Sequence, residues 1–166
     1  MTVRRAVAED LPRLEALYAD ARRFMAENGN PTQWRAGYPS RAMLEEDAAR
    51  GESYVCEDGQ TLCAAFLFRP PVSGEETEPD YAHIDGAWKA DGPYGVLHRV
   101  AVAVPGRGAA GFCMDWCFAR CPNLRMDTHR DNAPMQRALA KNGFVYCGVI
   151  RLRSDGSQRL AYQRTE

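Results

Sequence analysis

The sequence predicts an α/β fold. Strand-like apolar runs alternate with segments of helical period along the whole chain, and no repeat, linker or low-complexity tract divides its 166 residues. A domain of this length buries roughly 70% of the surface its unfolded chain exposes, so no disulfide or metal staple is needed to hold it together. Residues 1–166 are therefore read as one domain.

The elements follow in order. Val3 to Val7 is a short strand. Asp10 is placed to cap a helix, because a carboxylate there accepts free backbone N–H groups. Leu11, Leu14, Leu17, Tyr18, Ala21, Phe24 and Met25 then form one apolar stripe. Asn28-Gly29-Asn30-Pro31 ends it. Ser40 caps a second helix with Met43, Leu44 and Ala48 inward, stopping at Gly51. Ser53–Glu57 and Thr61–Arg69 read as a hairpin through Asp58-Gly59. An acidic, Pro-containing loop covers 70–80, a short strand is expected at Tyr81–Asp85, and Gly95–Val104 is a central apolar strand. A helix follows from about Gly108 to Arg120, then a strand at Leu124–Thr128 and a helix at Pro134–Asn142, with Gly143 just past its end. Phe144–Ile150 and Gln158–Gln163 form a last pair of strands.

Composition narrows the function. Hydrophobic residues make up 45%, charged residues 26%, and the net charge is −1, which argues against a nucleic-acid partner. The longest apolar strand, Leu62–Phe68, is too short to span a bilayer. The start, Met1-Thr2-Val3-Arg4-Arg5, has no signal-peptide core, so the expected address is the cytoplasm. In such a compartment the six cysteines are expected as thiols. Cys113, Cys117 and Cys121 share one helical face without C-x-x-C spacing; they read as core packing, with redox or metal chemistry the alternative, and no metal is expected.

Two segments carry chemistry. In the first, the strand Val100-Ala101-Val102-Ala103-Val104 runs through Pro105 into Gly106-Arg107-Gly108-Ala109-Ala110-Gly111, which opens a helix. Glycines let backbone N–H groups approach a ligand, and a helix N-terminus adds partial positive charge, which suits a pyrophosphate. A tight strand-to-helix turn is the plainer reading. In the second, Asn132 opens the helix that ends at Gly143-Phe144. Its amide can serve an amide-rich ligand or simply cap the helix.

Together and in this order, the two segments resemble the coenzyme-binding core of the GNAT acyltransferases. That family carries a Q/R-x-x-G-x-G/A loop after a strand, here matched with Gly108 and Ala110. An N-x-x-A-x-x-L-Y-x-x-x-G-F pattern lies downstream, here matched by Asn132, Ala138, Gly143 and Phe144. The stretches Asn30–Trp34, Tyr81–Trp88, Leu97–Val100 and Asp127–Asn132 resemble a bacterial GNAT subgroup of undefined substrate. Two positions depart from the pattern. Pro105 stands where the motif has Gln or Arg, and Leu139 stands where many members carry the tyrosine that protonates the leaving thiolate.

The resemblance implies a central mixed, mostly antiparallel sheet of about six to seven strands flanked by about four helices. It implies acetyl-CoA as cosubstrate, held between the strands at 98–104 and 124–128 by Val100, Ala101, Val102, Gly106, Arg107, Gly108, Ala109, Ala110, Gly111 and Asn132. It also implies direct attack by an amine of a small molecule or peptide, which needs a base. His98, Asp127 and His129 are the candidates, with a polar network as the alternative role; Asp127 and His129 alternate and so share a face. Arg99 and Arg125 read as solvated or paired. Trp34, Tyr38, Tyr81, Asp85 and Trp88 are candidates for the acceptor pocket, although aromatics there can equally cover the core edge. Glu75, Glu76, Glu78 and Asp80 form a solvated acidic loop or attract a cationic amine. A homodimer is possible by family habit. The competing function is a non-catalytic acyl-CoA-binding module, which Leu139 makes thinkable; a thiol or metal protein built on the cysteine helix comes third.

Overall fold

The computed structural model describes residues 1–165. Eight strands and four α-helices follow the predicted alternation: β1 (Thr2–Arg5), α1 (Leu11–Glu27), α2 (Arg41–Ala49), β2 (Ser53–Asp58), β3 (Thr61–Arg69), β4 (Asp85–Gly86), β5 (Gly95–Val102), α3 (Ala109–Phe118), β6 (Asn123–Thr128), α4 (Ala133–Lys141), β7 (Val145–Arg151) and β8 (Gln158–Thr165). One sheet takes the order β1-β2-β3-β5-β6-β8-β7-β4, antiparallel except where β5 meets β6. The eighth strand exceeds the expected count because Asp85–Gly86 pairs with β7 opposite Gly148 and Val149.

Period-two alternation sorts the strands onto two faces. Tyr54, Cys56, Ala64, Phe66 and Phe68 face α3 and α4, where they pack with Cys113, Met114, Cys117 and Leu139. The intervening Val55 and Ala65 face α1 and α2, against Leu14, Leu17, Tyr18 and Leu44. Trp116 of α3 lies on Tyr54 with ring centroids 5.0 Å apart. Cys113 and Cys117 are fully buried in this packing and burial drives both thiols strongly upward, so the cysteine face of α3 serves as core.

Three local expectations are corrected. The first strand ends at Arg5, because Ala8–Asp10 forms a 3-10 turn. Tyr81–Asp85 is not a strand: Pro79–Tyr81 is a 3-10 turn with Glu78 accepting the Asp80 amide, and only Asp85 joins the sheet. Asp10 makes no cap hydrogen bond to α1. Its carboxylate, 3% exposed as a residue, instead accepts both amino groups of Arg4 at 2.7 and 2.9 Å, the Arg13 guanidinium at 2.6 Å and the Val7 amide at 2.9 Å. Two cations within reach outcompete the helix amides for one carboxylate.

Arg4 first, against the opposing cost of burial, and then the Val7 amide and Arg13 hold the Asp10 carboxyl well below its ordinary value of 3.8. A folded-state value below the unfolded one adds stability that is present above about pH 4 and lost as the pH falls further. Asp10→Asn is expected to lower the unfolding free energy at pH 7 by about 2 kcal/mol, as for a hydrogen-bonded charge. Urea titrations at pH 7 and pH 3 check this: the gap between wild type and variant should be largest at pH 7 and reduced, but still present, at pH 3.

Candidate functional site

β5 and β6 are paired at two positions only, Gly95 with Leu124 and Val96 with Arg125. Beyond them the strands diverge and open a cavity of about 1210 Å³ lined by both strands, α1, the loop after α1, the start of α3 and α4. A β-bulge sits at the fork. Ala65 pairs with Ala101 but Leu67 pairs with His98, so Phe66 of β3 spans Arg99 and Val100 of β5. Arg99 takes φ 51°, a left-handed conformation that costs a bulky residue about 1–2 kcal/mol. The extra residue reverses the side-chain alternation. Leu97 and Val100 both enter the α3 core, while Val96, His98 and Ala101 point to the other face. Three contacts fix Arg99: Tyr18 O–H donates to its carbonyl at 3.1 Å, its Nε donates to the Tyr38 hydroxyl at 3.0 Å, and its guanidinium pairs with Asp47.

One end of the cavity is built from backbone and small residues. Arg99 to Ala103, Pro105, Gly106 and Ala110 line it, and β5 has no partner strand on this edge after Val96. Gly106 and Gly108 have φ of +83° and +80°, so the turn needs glycine twice, and no atom lies within 4 Å of the Cβ position of either. Gly108 opens α3, whose first acceptor is its carbonyl, bonded by Phe112 N–H at 3.0 Å. The amides before Phe112 therefore have no helical acceptor and carry the positive end of the helix dipole. Such a cradle fits an anionic, amide-rich ligand such as a pyrophosphate-bearing coenzyme. Arg107 is exposed beside it, and Ala109 is turned into the core. Gly111 serves packing: a Cβ there would come 2.6 Å from Asn142 Oδ1. Asn132 lines the cavity but its amide is engaged, with Oδ1 accepting the Met135 amide at 3.2 Å and Nδ2 donating to Gln33 Oε1 at 2.9 Å. Its Oδ1 thus caps α4. Leu139 is fully buried in the core, and Pro134, Met135 and Ala138 are the α4 residues that line the cavity.

The other end is polar. His98 Nε2 lies 3.1 Å from Glu78 Oε2, which also accepts from Arg69 at 2.9 Å. Burial alone would raise the Glu78 carboxyl, but the His98 hydrogen bond and charge, the Asp80 amide and Arg69 outweigh it and hold it below its ordinary value. An ionised carboxylate only accepts, so the His98 proton sits on Nε2 and Nδ1 is turned the other way. Nδ1 lies 3.7 Å from Asp127 Oδ2, and that oxygen accepts Tyr81 O–H at 2.7 Å. Burial and then the Asp127 charge push the Tyr81 hydroxyl far above its ordinary range, so it remains a donor. His129 follows β6 and accepts the Asp131 amide on Nδ1 at 3.2 Å. Burial first, then the positive charges of Arg159 and Arg130, lower it from 6.5. A neutral ring with Nδ1 accepting offers the cavity an Nε2 N–H and no lone pair.

The fold thus brings His98, Asp127, His129 and Trp34 to one cavity. Tyr81 is buried behind Asp127, Trp88 packs on Tyr81 with centroids 5.3 Å apart, and Asp85 is exposed on β4; none of the three lines it. Sequence reasoning missed Arg69 and Arg159, and it named Glu78 only as one acid of a loop that is solvated or attracts a cationic amine. The Glu78 side chain is 13% exposed and bonded to His98. Nothing in the local pattern separates Glu78 from Glu75 or Glu76, so no signal was there to find it. Arg99 and Arg125 are paired rather than solvated. Arg125 stacks against Trp88 and Tyr94 at 4.1 and 3.8 Å.

No family model matches the sequence, and no curated protein matches it closely enough to count. Solved structures do. A GNAT-family acetyltransferase from Streptococcus agalactiae 2603 is 30% identical, with 99% of this chain aligned to 95% of that one at a TM-score of 0.87. A ribosomal-protein-alanine N-acetyltransferase from Brucella melitensis shares the fold at 19% identity, with both chains fully covered and a TM-score of 0.60. A GNAT-like decarboxylase, GphF, in complex with isobutyryl-CoA shares it at 16% identity, 99% of each chain and a TM-score of 0.63. The forked strands, the glycine cradle and the full-length likeness at 30% identity place this chain in the GNAT family of acetyltransferases.

Proposed function

We propose that the protein transfers an acetyl group from acetyl-CoA to an amine by direct attack in a ternary complex. The observation that carries this reading is the continuity of the cavity. The glycine cradle and open β5 edge at one end and His98, Glu78 and Asp127 at the other line one space, so donor and acceptor can meet without a covalent enzyme intermediate. The residues suited to hold acetyl-CoA are the backbone of Val100 to Ala103, Gly106, Gly108 and the first turn of α3. GphF, in complex with isobutyryl-CoA, supports acyl-CoA use by this fold.

His98 is the base in this proposal. Glu78 fixes its Nε2 proton, leaving Nδ1 as the lone pair that takes a proton from the attacking amine. Glu78 then faces the imidazolium that forms, as a carboxylate orienting a catalytic histidine does. Asp127, held by Tyr81, draws the amine to that position as its cation. His129 offers a donor and not a base. Acetyl-CoA supplies a thiolate leaving group, and a thiol of the cysteine kind ionises near 8.5. That is low enough for departure without the hydroxyl that Leu139 replaces.

Two measurements test this. Calorimetric titration of acetyl-CoA is expected to give micromolar binding to the wild type, roughly −8 kcal/mol, and to Gly108→Ala, which shares the backbone strain. Gly108→Glu should lose it, because a carboxylate at the cradle repels pyrophosphate; equal binding by all three removes the cradle assignment. With an active amine, His98→Gln is expected to lower kcat by about 100-fold or more at unchanged acetyl-CoA affinity, and Glu78→Gln by about tenfold. An acetyl-CoA-binding protein that acetylates no amine would instead favour the binding-module alternative.

A further inference from the structure

We propose that the acceptor is a small amino acid, an amine bearing a carboxylate, and that Arg159 is the residue that holds the carboxylate. This rests on the amine-acceptor reading above and narrows it.

Arg159 opens onto the polar end of the cavity from β8, opposite Ile150 of β7 and one residue before Leu160, which pairs with Thr128. It is 8% exposed. A guanidinium at that depth has lost most of its hydration and calls for an anion. The other enclosed arginines of the chain lie against carboxylates or aromatic rings. Arg99 is paired with Asp47, Arg69 with Glu52 and Glu78, and Arg125 lies against two aromatic rings while donating to the Ala90 carbonyl. Arg159 forms no ion pair among the described residues. One amino group, Nη1, donates to Ser157 Oγ at 3.1 Å and to the Gln158 carbonyl at 2.9 Å. Its Nε and Nη2 have no protein acceptor there. Nor are they sealed off: the enclosed side-chain atoms without a partner are Asn30 Oδ1, Arg125 Nε and Thr128 Oγ1. The acid nearest in sequence, Asp155, is turned to Arg35 at 3.5 Å and to the Ser157 amide at 2.9 Å.

A second donor stands beside it. Continuing the β6–β8 register past Thr128 and Leu160 puts His129 opposite Arg159, on the same face. His129 presents its Nε2 N–H to the cavity because Nδ1 is occupied by the Asp131 amide. The cavity is therefore sorted by charge along β6, with Asp127, Glu78 and His98 at one position and His129 with Arg159 two residues further on. Two residues of strand span about 7 Å, within reach of the amine and carboxylate of one small molecule.

The test is an acetylation panel at saturating acetyl-CoA, with the standard L-amino acids, β-alanine and γ-aminobutyrate each run beside its amide. The wild type is expected to prefer the acids by about tenfold or more in kcat/KM. Arg159→Met should erase that preference by raising KM for the acids while leaving the amides unchanged, and Arg159→Lys should keep part of it. Melting temperature and acetyl-CoA affinity of both variants establish that they fold. Equal use of acids and amides by the wild type, or an acid preference that survives in Arg159→Met, overturns the assignment. Should no amine be acetylated, the same compounds are titrated into the CoA-saturated protein and followed by tryptophan fluorescence. Acid-selective binding lost in Arg159→Met then keeps the carboxylate site while the transfer reading falls, and absence of acid-selective binding overturns the site as well.

Discussion

β5 and β6 hold each other through two residue pairs and then part, and the cavity that His98, Asp127 and His129 line depends on that parting. A sheet that stayed paired would use the β5 edge for ladder hydrogen bonds and leave no cleft. The bulge at Arg99 and Val100 sits where the separation develops, and bulges increase local twist. It also decides orientation. With unbroken alternation, His98 and Val100 would share a face; with the extra residue, Val100 enters the α3 core and His98 faces the polar end of the cavity. The left-handed Arg99 is tolerated because its carbonyl and guanidinium are held from α1, α2 and the loop between them, through Tyr18, Asp47 and Tyr38. The two N-terminal helices thus act on the site through one strained residue as well as by covering the sheet.

The loop after α1 is tied down in the same manner. Gln33 Oε1 accepts from Asn30 at 2.7 Å and from Asn132 at 2.9 Å, linking the loop to the start of α4. Trp34 stacks edgewise on Tyr18 at 5.7 Å, and Arg22 donates to the Tyr38 carbonyl at 2.7 Å. A 13-residue connection that would otherwise be free to fray becomes one wall of the cavity. The opposite wall is polar and partly enclosed, and its groups are matched: Glu78 with His98 and Arg69, Asp127 with Tyr81. Burying these charges is tolerable because each carboxylate has a donor.

Residues that look chemical in sequence are not all so in space. Cys113 and Cys117 lie beneath the sheet with thiols held protonated by burial, which makes them small apolar spacers under Phe66 and Trp116. Tyr81 keeps a role at one remove, since it holds Asp127 in place from behind. Trp88 and Tyr94 flank Arg125, which lets a third cation sit inside the sheet without a carboxylate.

The sequence by itself determined the α/β class, the four helices, the hairpin at β2 and β3, and the glycine turn into α3. Each of these is written in local chemistry: a period of 3.6 or 2, a cap, or a residue with φ above zero. Alternation also put Asp127 and His129 on one face, and the resemblance to the GNAT core singled out these two and His98, all of which line the cavity. Tertiary structure alone decided which donors and acceptors meet. Glu78 is indistinguishable from Glu75 and Glu76 until the turn at Pro79 folds it against His98. Asp10 reads as a cap until Arg4 and Arg13 close on it. Arg159 is an ordinary strand arginine until the β6–β8 register sets it beside His129 in the cavity, without an ion-pair partner among the described residues. Burial and pairing depend on residues distant in the chain, which no local pattern records.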